Sequence, residues 1–174
     1  MWPSISGILS IMNVYLISSA MTSSGLALKV IKPKAKSFIV STWYRPLRSN
    51  MDTMKDFELL VQRIESLGVE VNILGDLNCN VAACPLELHT KNLLELCDLY
   101  QYHQLINKHT RITAKSATTI DLFLTNNKEM FTFSEVCHIG ISDHSLIYGV
   151  RLVIVLTKAA PALFIKWSGE YFLK

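Results

Sequence analysis

The sequence predicts a layered α/β or α+β domain, and two patterns along the chain support this class. Short runs of β-branched and aromatic residues indicate strands, and two stretches with apolar residues at three- and four-residue steps indicate helices. The two kinds of element alternate only in part, so a strict βαβ repeat is not expected. A length of 174 residues, half of them apolar, fits about one domain with a sizeable core and excludes a disordered chain.

The first clear elements are two strands, Leu26–Ile31 and Ser37–Tyr44, joined by a lysine-rich turn at 32–36. Pro46 ends the second strand because proline has no N–H to donate to the ladder. No Asp or Glu precedes Asp52, so the first part of the chain is basic although the net charge of the whole is only +3. The basic residues of that part are Lys29, Lys32, Lys34, Lys36, Arg45 and Arg48.

Two helices are predicted in the middle of the chain. The first covers Asn50 to Leu67 and stops at Gly68, and the second runs from about Thr90 to Leu105. A short strand, Val69–Leu74, separates them. Further strands are predicted at Thr118–Thr125, Ser134–Ile139 and His144–Leu156.

The amino-terminal segment is apolar and admits three interpretations. Residues 1–28 carry no charged side chain, and serines and one asparagine interrupt the apolar run at 5–22. A secretory signal normally has a basic region before its apolar stretch, and a spanning helix needs about twenty predominantly apolar residues. We therefore expect an apolar leader at 1–25, a domain at 26–151 and a divergent tail at 152–174. A membrane anchor at 5–22 and a native core strand are the less favoured interpretations.

The four cysteines are Cys79, Cys84, Cys97 and Cys137, and they contain no CxxC pair. A zinc site formed by Cys79, Cys84 and His89 is much less favoured than buried thiols in a reducing compartment. The cysteines are therefore predicted to be core residues.

Polar residues interrupt the apolar strands at four places along the chain. The second place, Asp76 and Asn78, and the third, Asp121, suggest chemistry most directly. In extended backbone Asp76 and Asn78 project to the same side, where a carboxylate and an amide can hold a water and a phosphate oxygen together. Gly75-Asp76-Leu77-Asn78 is also typical of a turn in which Asp and Asn bond their own backbone. Asp121 lies between Ile120 and Leu122, and burial there requires a polar partner.

The fourth cluster, Ser142-Asp143-His144-Ser145, offers that partner. A carboxylate on one ring nitrogen of His144 would orient the other nitrogen as an acid or base, so we expect Asp121 to pair with His144. Asp143 points the opposite way and would be available as an oxygen ligand for a hard cation. Taken alone, the cluster is more often a plain helix or turn cap. The first cluster, Tyr44-Arg45-Pro46, taken alone, is a strand terminator.

Taken together and in order, the four clusters resemble the motifs of the endonuclease/exonuclease/phosphatase superfamily. The similarity is more specific to the apurinic-type endonuclease domain of non-LTR (LINE-like) retrotransposons and extends from about Leu26 to Arg151. The segments that carry it are Thr42-Trp43-Tyr44-Arg45-Pro46, Ile73-Leu74-Gly75-Asp76-Leu77-Asn78, Ile120-Asp121-Leu122-Phe123-Leu124-Thr125-Asn126 and Gly140-Ile141-Ser142-Asp143-His144-Ser145-Leu146.

The resemblance implies a four-layer sandwich of two mostly antiparallel sheets flanked by helices. It also implies a nuclear DNA endonuclease that depends on Mg²⁺ or Mn²⁺, needs no small-molecule cofactor and contacts DNA through the phosphate backbone. Asp76 and Asn78 would position or activate the attacking water, and Tyr44 would contact the phosphate near the cut. His144, held by Asp121, would bond or protonate the phosphate, and Asp143 would help to hold the metal.

One feature of that family is absent from this sequence. Its complete members begin with a strand carrying an Asn and a strand ending in a metal-binding Glu, whereas residues 1–51 contain no Glu. We therefore expect a partial domain that lacks its first strands, holds its metal weakly and has impaired activity. Two other interpretations are a non-catalytic remnant that binds nucleic acid through Lys29–Lys36, Arg45 and Arg48, and a phosphoesterase anchored to a membrane by residues 5–22.

Overall fold

The computed structural model describes residues 13–19, 25–33, 35–154 and 164–165, with the backbone alone described at 13–19, 153–154 and 164–165. The helices in these ranges are α1 (Asp52–Glu65) and α2 (Leu88–Leu99), with a 3₁₀ turn at Lys128–Met130. The strands are β1 (Asn13–Ser19), β2 (Gly25–Ile31), β3 (Phe38–Trp43), β4 (Glu70–Asp76), β5 (His103–Gln104), β6 (Arg111–Ile112), β7 (Ala117–Thr118), β8 (Asp121–Thr125), β9 (Phe131–Cys137), β10 (Leu146–Arg151), β11 (Val153–Ile154) and β12 (Phe164–Ile165).

The main sheet has six strands in the order β1-β2-β3-β4-β8-β5. Only β3 and β4 run parallel, and all other neighbours in this sheet are antiparallel. The parallel pair requires a crossover connection, and α1 supplies it. The α/β class and the mostly antiparallel sheet predicted from the sequence are confirmed.

Helix α1 packs on one face of this sheet. Its buried positions recur at helical spacing, and the ring of Phe57 lies 5.4 Å from that of Trp43 on β3. Buried residues of α2 join the same core as Ile39, Ile73 and Leu124 of the sheet. The predicted helix Asn50–Leu67 is confirmed, with its ends two residues shorter on each side.

The opposite face of the sheet carries the β9–β10 hairpin. Residues 122 and 124 of β8 belong to the helix-side core, so Phe123 between them projects to the other face. There its ring meets Phe131 of β9 at a centroid distance of 5.0 Å. The described residues thus form three layers, helices, main sheet and hairpin, and the fourth layer stays a prediction.

The structure corrects three predicted boundaries. Helix α2 ends at Leu99 rather than Leu105, because Gln101 adopts a left-handed conformation with φ of 57° and the chain turns into β5. The predicted strand Thr118–Thr125 is divided into β7 and β8. The predicted strand from His144 begins only at Leu146, which leaves His144 in the preceding loop.

Strand β1 lies inside the segment predicted as a leader, and it pairs antiparallel with β2. The structure gives a strand for Asn13–Ser19, and the division of the chain into a leader at 1–25, a domain at 26–151 and a tail at 152–174 stays a prediction. The rest of 1–24 lies outside the described residues, as does most of the predicted tail. Within the described ranges, no helix is long and apolar enough to cross a membrane.

Candidate active site

Two carboxylates face each other at one end of the main sheet. Asp76 is the last residue of β4 and Asp121 the first of β8, and the two are directly paired in the antiparallel register. Side chains of directly opposed residues project from the same face of a sheet, about 5 Å apart at Cβ. The strand register alone therefore places two negative groups side by side.

His144 joins this pair from the loop before β10. Its Nδ1 lies 3.1 Å from both carboxylate oxygens of Asp121, as the sequence predicted. The Asp121 side chain is 14% exposed and that of His144 is 32% exposed, so the contact is partly shielded from water. A carboxylate at Nδ1 favours the tautomer with the proton on that atom, which leaves Nε2 as the acceptor.

The three side chains can converge on one metal ion. One ligand atom from each of Asp76, Asp121 and His144 lies within 4.8 Å of the others, and the described residues contain no other such group of His, Cys, Asp or Glu. Two carboxylates and one imidazole are a donor set that fits Mn²⁺ well and supplies Mg²⁺ with the oxygen ligands it prefers. The residues present therefore fit a divalent cation.

Burial raises the pKa of Asp76 above its ordinary value, and the nearby charge of Asp121 raises it further. The hydrogen bond from the backbone N–H of Asn78 and the charges of His144 and Arg111 act in the opposite direction without cancelling the effect. An acid held partly desolvated beside a second carboxylate gains from a cation, because the cation offsets both causes of the raised pKa.

The loop after β4 holds Asn78 in a way that the sequence did not predict. Asn78 has φ of 48°, so the extended backbone assumed for Asp76–Asn78 is wrong at this residue. Its N–H donates to Asp76 Oδ1 at 3.1 Å, which is the turn that the alternative interpretation of this motif expected. Its side-chain Nδ2 donates to the carbonyl of Arg45 at 2.8 Å. The role of Asn78 in positioning water stays a prediction.

Arg45 anchors this loop from the end of β3. Its Nε donates to the carbonyl of Leu77 at 2.7 Å and its Nη2 to the carbonyl of Asn78 at 2.6 Å. The residue is 1% exposed. The interpretation in which Arg45 contacts nucleic acid is therefore wrong, because its guanidinium is buried and donates to backbone carbonyls inside the protein.

Gly75 is required by the close approach of β3. A Cβ at this position would lie 1.9 Å from the carbonyl oxygen of Trp43. Any larger residue would push β4 away from β3 and displace Asp76, the next residue along the chain. The glycine of the motif therefore serves the placement of the carboxylate.

Thr110 is a site-building residue that sequence analysis missed. Its buried Oγ1 accepts hydrogen bonds from the backbone N–H groups of Ile120, at 3.1 Å, and Asp121, at 2.9 Å. Its carbonyl accepts from the N–H of Ser145 at 2.7 Å. Thr110 thus connects the start of β8 to the His144 loop, and a lone Thr in a loop gives no sequence signal of this.

Asp143 and Tyr44 lie beside the three-residue group and not within it. Asp143 is exposed, and its Oδ2 accepts from Arg111 Nε at 2.7 Å, so its carboxylate is not unpaired as the sequence suggested. Its role as a metal ligand stays a prediction. Tyr44 is 54% exposed and precedes Arg45, whose N–H donates to the Asp76 carbonyl. Its contact with phosphate also stays a prediction.

The cysteines divide into two classes. Cys79 and Cys97 are buried, as predicted for core thiols, whereas Cys84 and Cys137 are exposed, so the core prediction is wrong for these two. Burial raises the pKa of Cys97 to about 12, which keeps it a neutral thiol at physiological pH. Cys79, Cys84 and His89 do not form a metal-binding group in the described part of the chain.

Solved structures share this architecture although their sequences differ widely. No protein-family model matches the sequence, and no curated protein matches it. The endonuclease domain of TRAS1, a telomere-specific non-LTR retrotransposon, superposes with a TM-score of 0.68 at 11% identity, over 84% of this chain and 69% of that one. The chain has the fold of the endonuclease/exonuclease/phosphatase superfamily.

Two further structures with this fold are less similar in shape. An endonuclease/exonuclease/phosphatase family protein from Leptotrichia buccalis matches with a TM-score of 0.52 and 15% identity, over 80% of this chain and 61% of that one. The 3′-5′ exonuclease NExo from Neisseria meningitidis matches with a TM-score of 0.51 and 14% identity, over 81% and 71%. The chain spans about two thirds of the length of these structures. The predicted resemblance is confirmed at the level of the fold.

Proposed function

We propose that this protein is a metal-dependent hydrolase of phosphodiester bonds in DNA. The observation that supports this best is the convergence of Asp76, Asp121 and His144 at one end of the main sheet, in a fold shared with nucleases. Hydrolysis of a phosphodiester needs an oriented water, a group that stabilises the leaving oxygen and neutralisation of charge. Each of these needs has a candidate residue at this site.

Asp76, Asp121 and His144 have separate roles in the proposed reaction. Asp76, as a carboxylate, accepts a hydrogen bond from the attacking water and orients it toward phosphorus. Asp121 holds the imidazole of His144 through Nδ1, and when the ring is doubly protonated its Nε2–H can donate a hydrogen bond or a proton to an oxygen of the phosphate. A divalent cation held by the carboxylates of Asp76 and Asp121, with Asp143 as the further predicted ligand, would neutralise charge on the phosphate.

DNA is the proposed substrate, and a nuclear retrotransposon-type endonuclease domain is the proposed setting. The support for both is the likeness to the TRAS1 endonuclease domain together with the four motifs in their order. Tyr44 is the proposed contact to the phosphate beside the cut. It is exposed, and it follows directly after β3, which pairs with β4, the strand that ends at Asp76. The absence of a Glu from residues 1–51 leads us to propose reduced activity and weak metal binding.

The test is nicking of supercoiled plasmid by the purified chain with Mg²⁺, with Mn²⁺ and with a chelator. We expect metal-dependent nicking that falls by about 10²- to 10⁴-fold in His144→Ala, the usual contribution of a general acid or base. His103→Ala is the matched control, because His103 is exposed on β5 and outside the group. DNA binding without any nicking from folded protein would favour the non-catalytic interpretation.

A further inference from the structure

Arg111 lies next to the candidate site although none of the four motifs contains it. On one side Arg111 pairs with Thr118 in the β6–β7 hairpin, and on the other it forms an antiparallel bridge with His144. Two backbone hydrogen bonds hold the second contact, from Ile112 N to the Asp143 carbonyl and from Ser145 N to the Thr110 carbonyl. Residues opposed in an antiparallel pair project from the same face, so the side chains of Arg111 and His144 share one face.

The guanidinium of Arg111 is oriented by a single ion pair. Nε donates to Asp143 Oδ2 at 2.7 Å, and the side chain remains 37% exposed. Neither Nη1 nor Nη2 has a hydrogen-bond partner within the described ranges. Because the guanidinium is planar and rigid, fixing Nε leaves its other donors directed outward as a fork.

The charge of Arg111 reaches the carboxylates on both sides of His144. It contributes to lowering the pKa of Asp76, against the larger effect of burial. Its hydrogen bond is the largest cause that lowers the pKa of Asp143. Arg111 therefore acts on both acids from the face that it shares with His144.

We propose that Arg111 binds the phosphate that enters the Asp76–Asp121–His144 group, and that Asp143 is the positioning residue for its guanidinium. The proposal rests on the proposed function. A guanidinium presents two N–H donors in the geometry of two phosphate oxygens, and such a bond strengthens as negative charge builds up on those oxygens. Phosphoryl transfer depends mainly on positioning and on neutralising this charge, so one well-placed cation has a large effect.

Two measurements on one set of variants test the proposal. The variants are Arg111→Gln, Arg111→Lys, Asp143→Asn, the Arg111→Gln/Asp143→Asn double variant and the control Lys128→Gln, which removes an exposed charge beyond the far end of β8. The first measurement is binding of a labelled DNA duplex over a range of salt concentrations in Ca²⁺, a hard cation that the same oxygens bind. The second is single-turnover cleavage in saturating Mg²⁺ or Mn²⁺.

For Arg111→Gln we expect the slope of log K against log salt to fall by about 0.9, the value for one lost phosphate contact, and cleavage to fall by about 100-fold. Arg111→Lys keeps the charge without the fork, so its salt slope should be unchanged while cleavage falls by about tenfold. Lys128→Gln should change neither. Asp143→Asn should reduce cleavage in the parent and have no further effect in the Arg111→Gln background, which shows that it acts through Arg111.

Three results would overturn the proposal. A wild-type salt slope in Arg111→Gln, or no DNA binding by the wild-type chain, would show that Arg111 contacts no phosphate. An Asp143→Asn variant whose loss of cleavage is as large in the Arg111→Gln background as in the parent would show that Asp143 does not act through Arg111. If the wild-type chain binds DNA without cutting it, the proposed function fails, and the salt slope of Arg111→Gln still decides the role of Arg111.

Discussion

Both ends of the main sheet carry carboxylates, but the partners of these carboxylates differ between the two ends. Where β4 begins, Glu70 accepts two hydrogen bonds from Arg151, at 2.6 Å and 2.7 Å, and Arg151 also lies over the ring of Phe38. Glu65 nearby accepts from the Tyr102 hydroxyl and from Asn126 Nδ2. Glu65 and Glu70 thus both accept from well-placed donors, and Glu70 has a full counter-charge.

Where β4 ends, the carboxylates of Asp76 and Asp121 face each other instead. Asp76 accepts a hydrogen bond from the backbone N–H of Asn78, and Asp121 lies against the imidazole of His144. No Lys or Arg forms an ion pair with either acid in the described ranges. Two partly buried acids without a direct cationic partner are costly in a folded protein, and such a cost is typical of a functional site.

The main sheet thus has a structural end, at Glu70 and Arg151, and a chemical end, at Asp76 and Asp121. The first stabilises the fold by pairing its charges, and the second leaves negative charge available for a cation, a water and a phosphate. The two ends are about 20 Å apart, because β4 advances about 3.3 Å at each of the six steps from Glu70 to Asp76. Changes at one end should accordingly leave the other largely intact.

The largest effect is expected from Asp76→Asn. The amide cannot accept a proton or hold a cation as the carboxylate does, so cleavage should fall by about 100-fold or more. Asp98→Asn, an exposed change on α2, is the matched control and should cut at the wild-type rate.

The same variant should gain stability, measured as the midpoint of thermal unfolding in chelator. The folded pKa of Asp76 is raised, so the native state binds more protons than the unfolded state between the two pKa values, and charging Asp76 destabilises the fold as the pH rises through this interval. At pH 7 Asp76→Asn should therefore unfold at a higher temperature than the wild type. The difference should disappear below the ordinary pKa of 3.8, and a lower midpoint at pH 7 would contradict it.

At the structural end, Glu70→Gln should act on stability. It leaves the Arg151 guanidinium, whose side chain is 15% exposed, beside a neutral partner, and breaking a buried ion pair costs about 3 kcal/mol. The free energy of unfolding in urea measures this cost, with exposed Glu95→Gln on α2 as the control. An unchanged unfolding midpoint would show that this pair contributes nothing.

The smallest effect is expected from Lys32→Gln with Lys36→Gln. Both lysines line a cavity of about 610 Å³ at the structural end, together with Phe38, Glu70 and Arg151. Charges about 20 Å from the site are screened at physiological salt, where the Debye length is about 8 Å, so cleavage and DNA affinity should change by less than about twofold. A large loss of DNA affinity would instead support the interpretation in which the basic turn binds nucleic acid.

The sequence predicted the side chains at the chemical end of the sheet better than it predicted the residues that hold them in place. Asp121 lies between apolar Ile120 and Leu122, so its burial required a polar partner, and a histidine in a polar cluster was the natural one. The Asp121–His144 contact was therefore predictable. Hydrophobic periodicity likewise located α1 to within two residues at each end. Such signals are local in the sequence.

The remaining features depend on contacts between distant segments. Arg45 looks like a surface cation in the sequence and is buried because the loop after Asp76 offers it two carbonyls. Thr110 and Arg111 become part of the site only through pairing with residues 143–145. The left-handed backbone at Asn78, which redirects its side chain to Arg45, has no signature beyond the type of residue.

The most direct test of this account is the single-turnover cleavage rate of Asp121→Asn beside that of Glu70→Gln, in the same metal and at a temperature where both are folded. Asp121→Asn removes the charge that orients His144, so we expect a loss of about 100-fold or more. Glu70→Gln should cut within about threefold of the wild type, since its effect falls on stability. Equal losses in the two variants, or wild-type cleavage by Asp121→Asn, would contradict the division of the sheet into a structural and a chemical end.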